Sequence, residues 1–164
     1  TAPGQIIQIV RTTPATTSSV TLASSPPNMI EFSSDNRTTI TPKFATSLLR
    51  LNFSSMISGQ NSSAICSMKF YDQTNNANVG FSALGTGSSR TFCNASFRNK
   101  DYDANDRVHL NMTAYQAASN TNARTYSIYG MIESGQTIYM NMTTTDNNGC
   151  SYAPPVFTIE EIAQ

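Results

Sequence analysis

Tryptophan is absent from this 164-residue chain, histidine occurs once and cysteine three times. Charge is also scarce: Asp, Glu, Lys and Arg make up 12% of the residues, about half the usual share. Ten basic and ten acidic residues leave a net charge of zero. Without clustered Lys and Arg nothing steers the chain to DNA, RNA or an acidic membrane, so neither nucleic acid nor membrane is an expected partner. No apolar run approaches the roughly 20 residues that cross a bilayer as a helix. The opening Thr1-Ala2-Pro3-Gly4 shows neither a basic nor an apolar leader segment; Thr1 is expected to follow a removed initiator Met, the alternative being a leader removed ahead of it.

The rarity of reactive side chains narrows the chemistry. Cys66, Cys93 and Cys150 are widely spaced with no C-x-x-C pair, which excludes a zinc ribbon or a thioredoxin-like motif. They are expected to be buried or half-buried reduced thiols; one disulfide with a leftover thiol is the alternative. His109 falls on the polar side of its strand, and no G-x-S-x-G elbow accompanies it, so no catalytic triad is expected. Asp101-Tyr102-Asp103-Ala104-Asn105-Asp106 opens like a calcium loop. It has Asp106 where the sixth-position Gly belongs and Met112 where the twelfth-position Glu belongs, so a solvated acidic loop is expected, not a metal site. Glu160 and Glu161 are adjacent, hence on opposite faces of a strand, and cannot form the carboxylate pair of a glycoside hydrolase. There is no phosphate loop or dinucleotide fingerprint, and no cofactor is expected. Six N-x-S/T sequons, at Asn36, Asn52, Asn61, Asn94, Asn111 and Asn141, are what a chain rich in Asn, Ser and Thr carries by chance.

What the chain does have is uncharged polarity and β-strand periodicity. About one residue in four is Ser or Thr. Leu49, Leu51 and Phe53 alternate with Arg50, Asn52 and Ser54. The same period of two runs through Ala64–Tyr71, Val108–Ala114, Tyr126–Ile132 and Ile138–Thr143. Gln5–Val10, Met29–Phe32, Arg37–Thr41 and Val156–Ile162 complete the strand signals. Ser134-Gly135 predicts a tight hairpin between the strands on either side, Asn147-Asn148-Gly149 closes a strand, and Asn75–Asn78 and Gly85–Ser88 read as loops. No apolar stripe at helical spacing runs over enough length for a long helix.

This pattern predicts an all-β, antiparallel β-sandwich or jelly roll, a single domain over residues 1–164. Residues 1–28 would form an N-terminal strand and an irregular connection that could serve as an attachment arm. The expected core is Leu49, Leu51, Phe53, Met68, Phe70, Val108, Leu110, Ile128, Ile138 and Met140. Tyr71, Tyr129 and Tyr139 fall opposite the core set, with Ile65 and Met131 beside them. A face of Tyr and Met with little charge suits a protein–protein interface. The candidate interface residues are therefore Ile6, Ile7 and Ile9 in the opening strand, with Tyr71, Tyr129, Met131 and Tyr139. Self-association is expected to use a second sheet face or edge, with Tyr129 and Tyr139 as the candidate centre.

Several blocks resemble small virion structural proteins of tailed phages. They are Pro3-Gly4-Gln5-Ile6-Ile7-Gln8-Ile9-Val10; Thr39-Ile40-Thr41-Pro42-Lys43 with Ser47-Leu48-Leu49-Arg50-Leu51; Val108–Met112 with Tyr126–Met142; and Phe157–Ile162. Their order covers essentially the whole chain, while Asn75–Asp106 departs most. The resemblance implies a jelly-roll-like homotrimer at the surface of a phage particle, partnered by the major capsid protein or a tail component. Its expected role is a capsid decoration (cement) protein, the alternative being the trimeric head of a tail fibre or appendage that binds host surface glycans. It implies no catalytic residue.

Overall fold

A strand whose alternate residues are apolar buries one side only, so strands of this kind must pair into sheets and stack them core to core. The structure, a computed structural model, describes residues 1–13, 18–21, 29–59, 65–80, 93–98, 108–132, 137–140 and 154–164. Twelve strands occur among them: β1 (Ile6–Thr12), β2 (Ser18–Thr21), β3 (Ile30–Glu31), β4 (Thr38–Ile40), β5 (Leu48–Gly59), β6 (Ile65–Asp72), β7 (Ala77–Asn78), β8 (Ala95–Arg98), β9 (Val108–Ala117), β10 (Arg124–Ile132), β11 (Thr137–Met140) and β12 (Val156–Ile162). One short 3-10 turn, Ser34–Asn36, separates β3 from β4.

All pairings are antiparallel. In the first sheet β5 pairs with β9 on one side, Leu48 opposite Ala117 and Ile57 opposite Val108. Its other side carries β12 and then β11, end to end. β1 lies beyond β12, and β2 beyond β11. In the second sheet β10 runs between β6 and the pair β3 and β4, while β7 and β8 line the far side of β6. Strands placed end to end share a lane, which gives eight lanes. Numbered along the chain, they run 1-8-3-6 in one sheet and 2-7-4-5 in the other. That is the double Greek-key order of a jelly roll.

The period of two is reproduced where it was read. Leu49, Leu51, Phe53, Met68, Phe70, Leu110, Ile128 and Met140 are buried in one cluster shared by both sheets. Val108 is only half-buried, because it begins β9 where that strand leaves the core. Ile138 pairs within β11, and its side chain lies outside the described residues. Phe157 joins the layers: its ring is 5.5 Å from Phe70 in the opposite sheet and 6.3 Å, edge-on, from Phe53 beside it.

The turns agree in part. Pro3-Gly4 makes a tight turn in which the Gln5 amide donates to the Ala2 carbonyl, with Gly4 at φ 83° as the third residue of a type II turn requires. Asn75 and Asn76 form the turn after β6, Asn76 at φ 53°, whereas Ala77 and Asn78 belong to the short returning strand. Ser134-Gly135 lies outside the described residues, and the strands on either side do not pair with each other as the predicted hairpin requires: β10 pairs with β6, β3 and β4 in the second sheet, and β11 with β5 and β2 in the first. Two adjacent strand signals with a short spacer look the same whether the chain turns within a sheet or crosses the sandwich. The loops at 85–88 and 147–149 lie outside the described residues.

Candidate functional site

The outward face of the first sheet can be written as rows across its lanes. From one end they are Ile6, Ile162, Leu48 and Ala117; then Ile9, Glu160, Arg50 and Tyr115; then Arg11, Thr158, Asn52 and Thr113; then Val156, Ser54 and Asn111. The first two rows are mainly apolar. Ile6 is 44% exposed, Ile9 58% and Tyr115 50%, with Leu48 and Ile162 half-buried between them. The charges in this band close on each other, because Arg50 and Glu160 form an ion pair. Ile7 sits at a register shift between Ile6 and Gln8 and is half-buried.

Beneath that end lies a buried carboxylate that the sequence did not single out. Glu161 is inward-facing and fully buried, while Glu160 faces outward, as adjacency in a strand requires. Its oxygens accept hydrogen bonds from the Lys43 amide at 2.9 and 3.0 Å, the Phe44 amide at 3.0 Å and the Gln8 side-chain amide at 2.6 Å. Burial pushes its pKa up, but the Lys43 amide, the Ser47 hydroxyl, the Phe44 amide and Gln8 together hold it below the usual value. The opening strand, the Thr41-Pro42-Lys43 turn and the last strand are thus fastened to one residue. A Glu at a core-facing position of an otherwise apolar alternation was the available signal.

The outward face of the second sheet carries the other aromatic candidates. Tyr71 and Tyr129 lie side by side on β6 and β10 with ring centroids 4.4 Å apart, and the Lys69 ammonium sits 5.3 and 5.9 Å from the two centroids. Burial lowers the Lys69 pKa and raises that of Tyr71. Gln73 donates to Ser127 and to the Tyr129 hydroxyl. Glu31 is held ionised by the bidentate Arg37 beside it. Met131 shares this face by alternation but is 5% exposed. Tyr139 does not join these tyrosines: β11 belongs to the first sheet, so Tyr129 and Tyr139 face away from each other on opposite sides of the sandwich. The expectation of one patch around Tyr129 and Tyr139 is corrected accordingly, because strand periodicity assigns a side to a residue but not a sheet to a strand.

Nucleophile chemistry finds little support in this geometry. The Asn111 side-chain nitrogen lies 3.1 Å from His109 Nδ1, and His109 Nε2 lies 3.1 Å from the Ser54 hydroxyl. As the Asn111 amide is oriented, it donates to Nδ1; the proton is then on Nε2, which donates to Ser54 and cannot take its proton. Cys66 is fully buried and burial pushes its thiol up to about 12; Cys93 is half-buried, and both are free thiols. Among the described residues no three His, Cys, Asp or Glu side chains converge on a metal position. The Asp101–Asp106 loop and Cys150 lie outside the described residues. Asn36, one of the sequon residues, is buried.

No protein-family model and no curated protein matches the chain. Solved structures similar to it include the tripod from the baseplate of bacteriophage Tuc2009, at 11% identity and a TM-score of 0.37, over 90% of this chain and 64% of that one. The Eiger TNF of S. frugiperda is similar at 7% identity and a TM-score of 0.43, over 99% of this chain and 94% of that one. A chain of infectious bursal disease virus, Gt strain, is similar at 10% identity and a TM-score of 0.47, over 99% of this chain and 39% of that one. The chain thus spans less than two thirds of the phage and virus chains it resembles. Its own strand pairings identify it as an all-β antiparallel sandwich with jelly-roll order.

Proposed function

We propose that this protein is a non-enzymatic structural component of a virus particle, most simply a decoration protein on the capsid surface of a tailed phage, with residues 1–164 acting as one domain. The observation that carries the reading is the apolar band on the first sheet. Ile6, Ile9, Ile162, Leu48 and Tyr115 form a strip across four lanes, on strands joined by antiparallel pairing throughout. Single exposed apolar residues need no explanation, whereas a strip with its charges already paired suits burial against another protein. In this reading the strip, with β1 at its edge, serves both attachment to the particle and the association of copies of the chain as a homotrimer. Such a protein stabilises a shell by binding only its assembled state, and threefold association multiplies weak contacts.

The alternative role, a trimeric fibre or appendage head that binds host surface glycans, is supported by the polar rows beside the strip, in which Arg11 is the one charged residue. Cryo-EM of particles carrying this protein separates the two. Density for a trimer repeated over the shell lattice is the expected result, and density confined to the tail or a vertex would establish the appendage role. Absence of the chain from purified particles by mass spectrometry would overturn both.

A further inference from the structure

Past the apolar strip, the first sheet's outward face turns into a different surface. A shallow recess of about 230 Å3 opens there, lined by the side chains of Asn52, Ser54, Asn111, Thr113, Val156 and Thr158. Phe53 and Met112 also border it, and both are buried members of the core. Every lining side chain is uncharged. The ion pair in the next row, Arg50 with Glu160, is closed on itself, and Arg11 stands at the rim opposite Thr158.

We propose that this recess is a subsite for a neutral saccharide ring. The polar groups are pre-oriented by one another. Thr113 is 2.9 Å from the Asn52 oxygen, which leaves both hydrogens of the Asn52 amide free to donate. Asn111 and Ser54 are held from either side of His109, which leaves the Asn111 oxygen to accept and the Ser54 hydroxyl to donate. Donors and acceptors side by side on adjacent strands match vicinal hydroxyls, each of which both donates and accepts. Val156 supplies a small apolar wall for the C–H side of a ring. A phosphate or nucleotide has no paired cations here to bind it. The volume is below the roughly 300 Å3 at which pockets for drug-sized molecules begin, which suits one ring of a longer chain lying along the sheet. Affinity for a single ring will be weak, and several copies on one assembly raise it by avidity. This site deepens the glycan-binding alternative above and rests on that reading; it does not depend on the attachment role proposed for the apolar strip, and its failure would leave that role standing.

The test is an NMR titration of the full isotope-labelled chain with the methyl glycosides of glucose, galactose, mannose and N-acetylglucosamine, and with glucuronate. At least one neutral glycoside is expected to shift the side-chain amide signals of Asn52 and Asn111. Asn111→Ala and Asn52→Ala should each weaken that binding about ten-fold, the loss of a hydrogen bond or two. Asn111 is exposed and Asn52 half-buried on the outward face, so both variants should keep the parent melting temperature. No response to any member of the panel, or binding unchanged in both variants, overturns the proposal. A response to glucuronate alone, lost in Arg11→Ala, would replace it with an anion site at the rim.

Discussion

The Glu161 carboxylate bridges to the Lys43 backbone amide across 118 positions of chain, with its two oxygens 2.9 and 3.0 Å from that nitrogen. Removing it leaves the Lys43 and Phe44 amides and the Gln8 side chain without their shared acceptor. Glu161→Ala should cost about 3 kcal/mol of folding stability, the scale of lost hydrogen bonds to a charged group. Urea unfolding of the two proteins checks this. The pH dependence has a definite sign. Because the folded pKa lies below the ordinary value, the contribution is complete above that ordinary value, near pH 4.5, and is lost as pH falls through the folded value. Melting curves of the parent and of Glu161→Gln should therefore converge in acid and separate toward neutrality. A gap that stays constant with pH would show that the charge is not what stabilises.

Phe157 should be the most sensitive core position, since it contacts an aromatic ring in its own sheet and one in the other. Phe157→Ala is expected to cost about 3–5 kcal/mol, with a smaller loss for Phe157→Leu, which keeps most of the volume. Equilibrium denaturation of both variants checks the order.

The thiols should differ in reactivity. At neutral pH, Cys66 is buried and protonated, with its pKa pushed to about 12, so folded protein should resist alkylation there. Half-buried Cys93 should label faster. Mass-spectrometric mapping after brief exposure to iodoacetamide, repeated in denaturant, should show Cys66 modified only in the unfolded chain.

Surface variants separate the apolar strip from the tyrosine pair. Ile9→Asp introduces a charge at a residue that is 58% exposed, so it should change the melting temperature little while reducing self-association. Sedimentation velocity of the parent and variant reads this directly. Tyr129→Asp and Tyr139→Asp change opposite faces, and any effects on association should be additive. A parent that sediments as a monomer at all concentrations would refute the trimer and leave Ile9 only its attachment role.

The burial of alternate residues was legible without coordinates. Leu49, Leu51 and Phe53 against Arg50, Asn52 and Ser54 can satisfy both core and solvent only as a half-buried strand, because side chains leave a strand with a period of two. The class of fold, the inward set of residues and the separation of Glu160 from Glu161 all follow from that periodicity.

Partnership between strands was not legible, because the alternation in β10 and β11 is the same whichever sheet each joins. Only the tertiary structure sends β10 beside β6 and β11 beside β5, and so parts Tyr129 from Tyr139. The same holds for Glu161, an acidic residue at an inward position until Gln8, Lys43 and Phe44 arrive from distant segments to satisfy it. It holds too for the recess, whose Asn52, Asn111 and Thr158 come from three strands. Local periodicity sets which way a side chain points; which groups it then meets depends on long-range pairing, whose register is decided by the whole core at once.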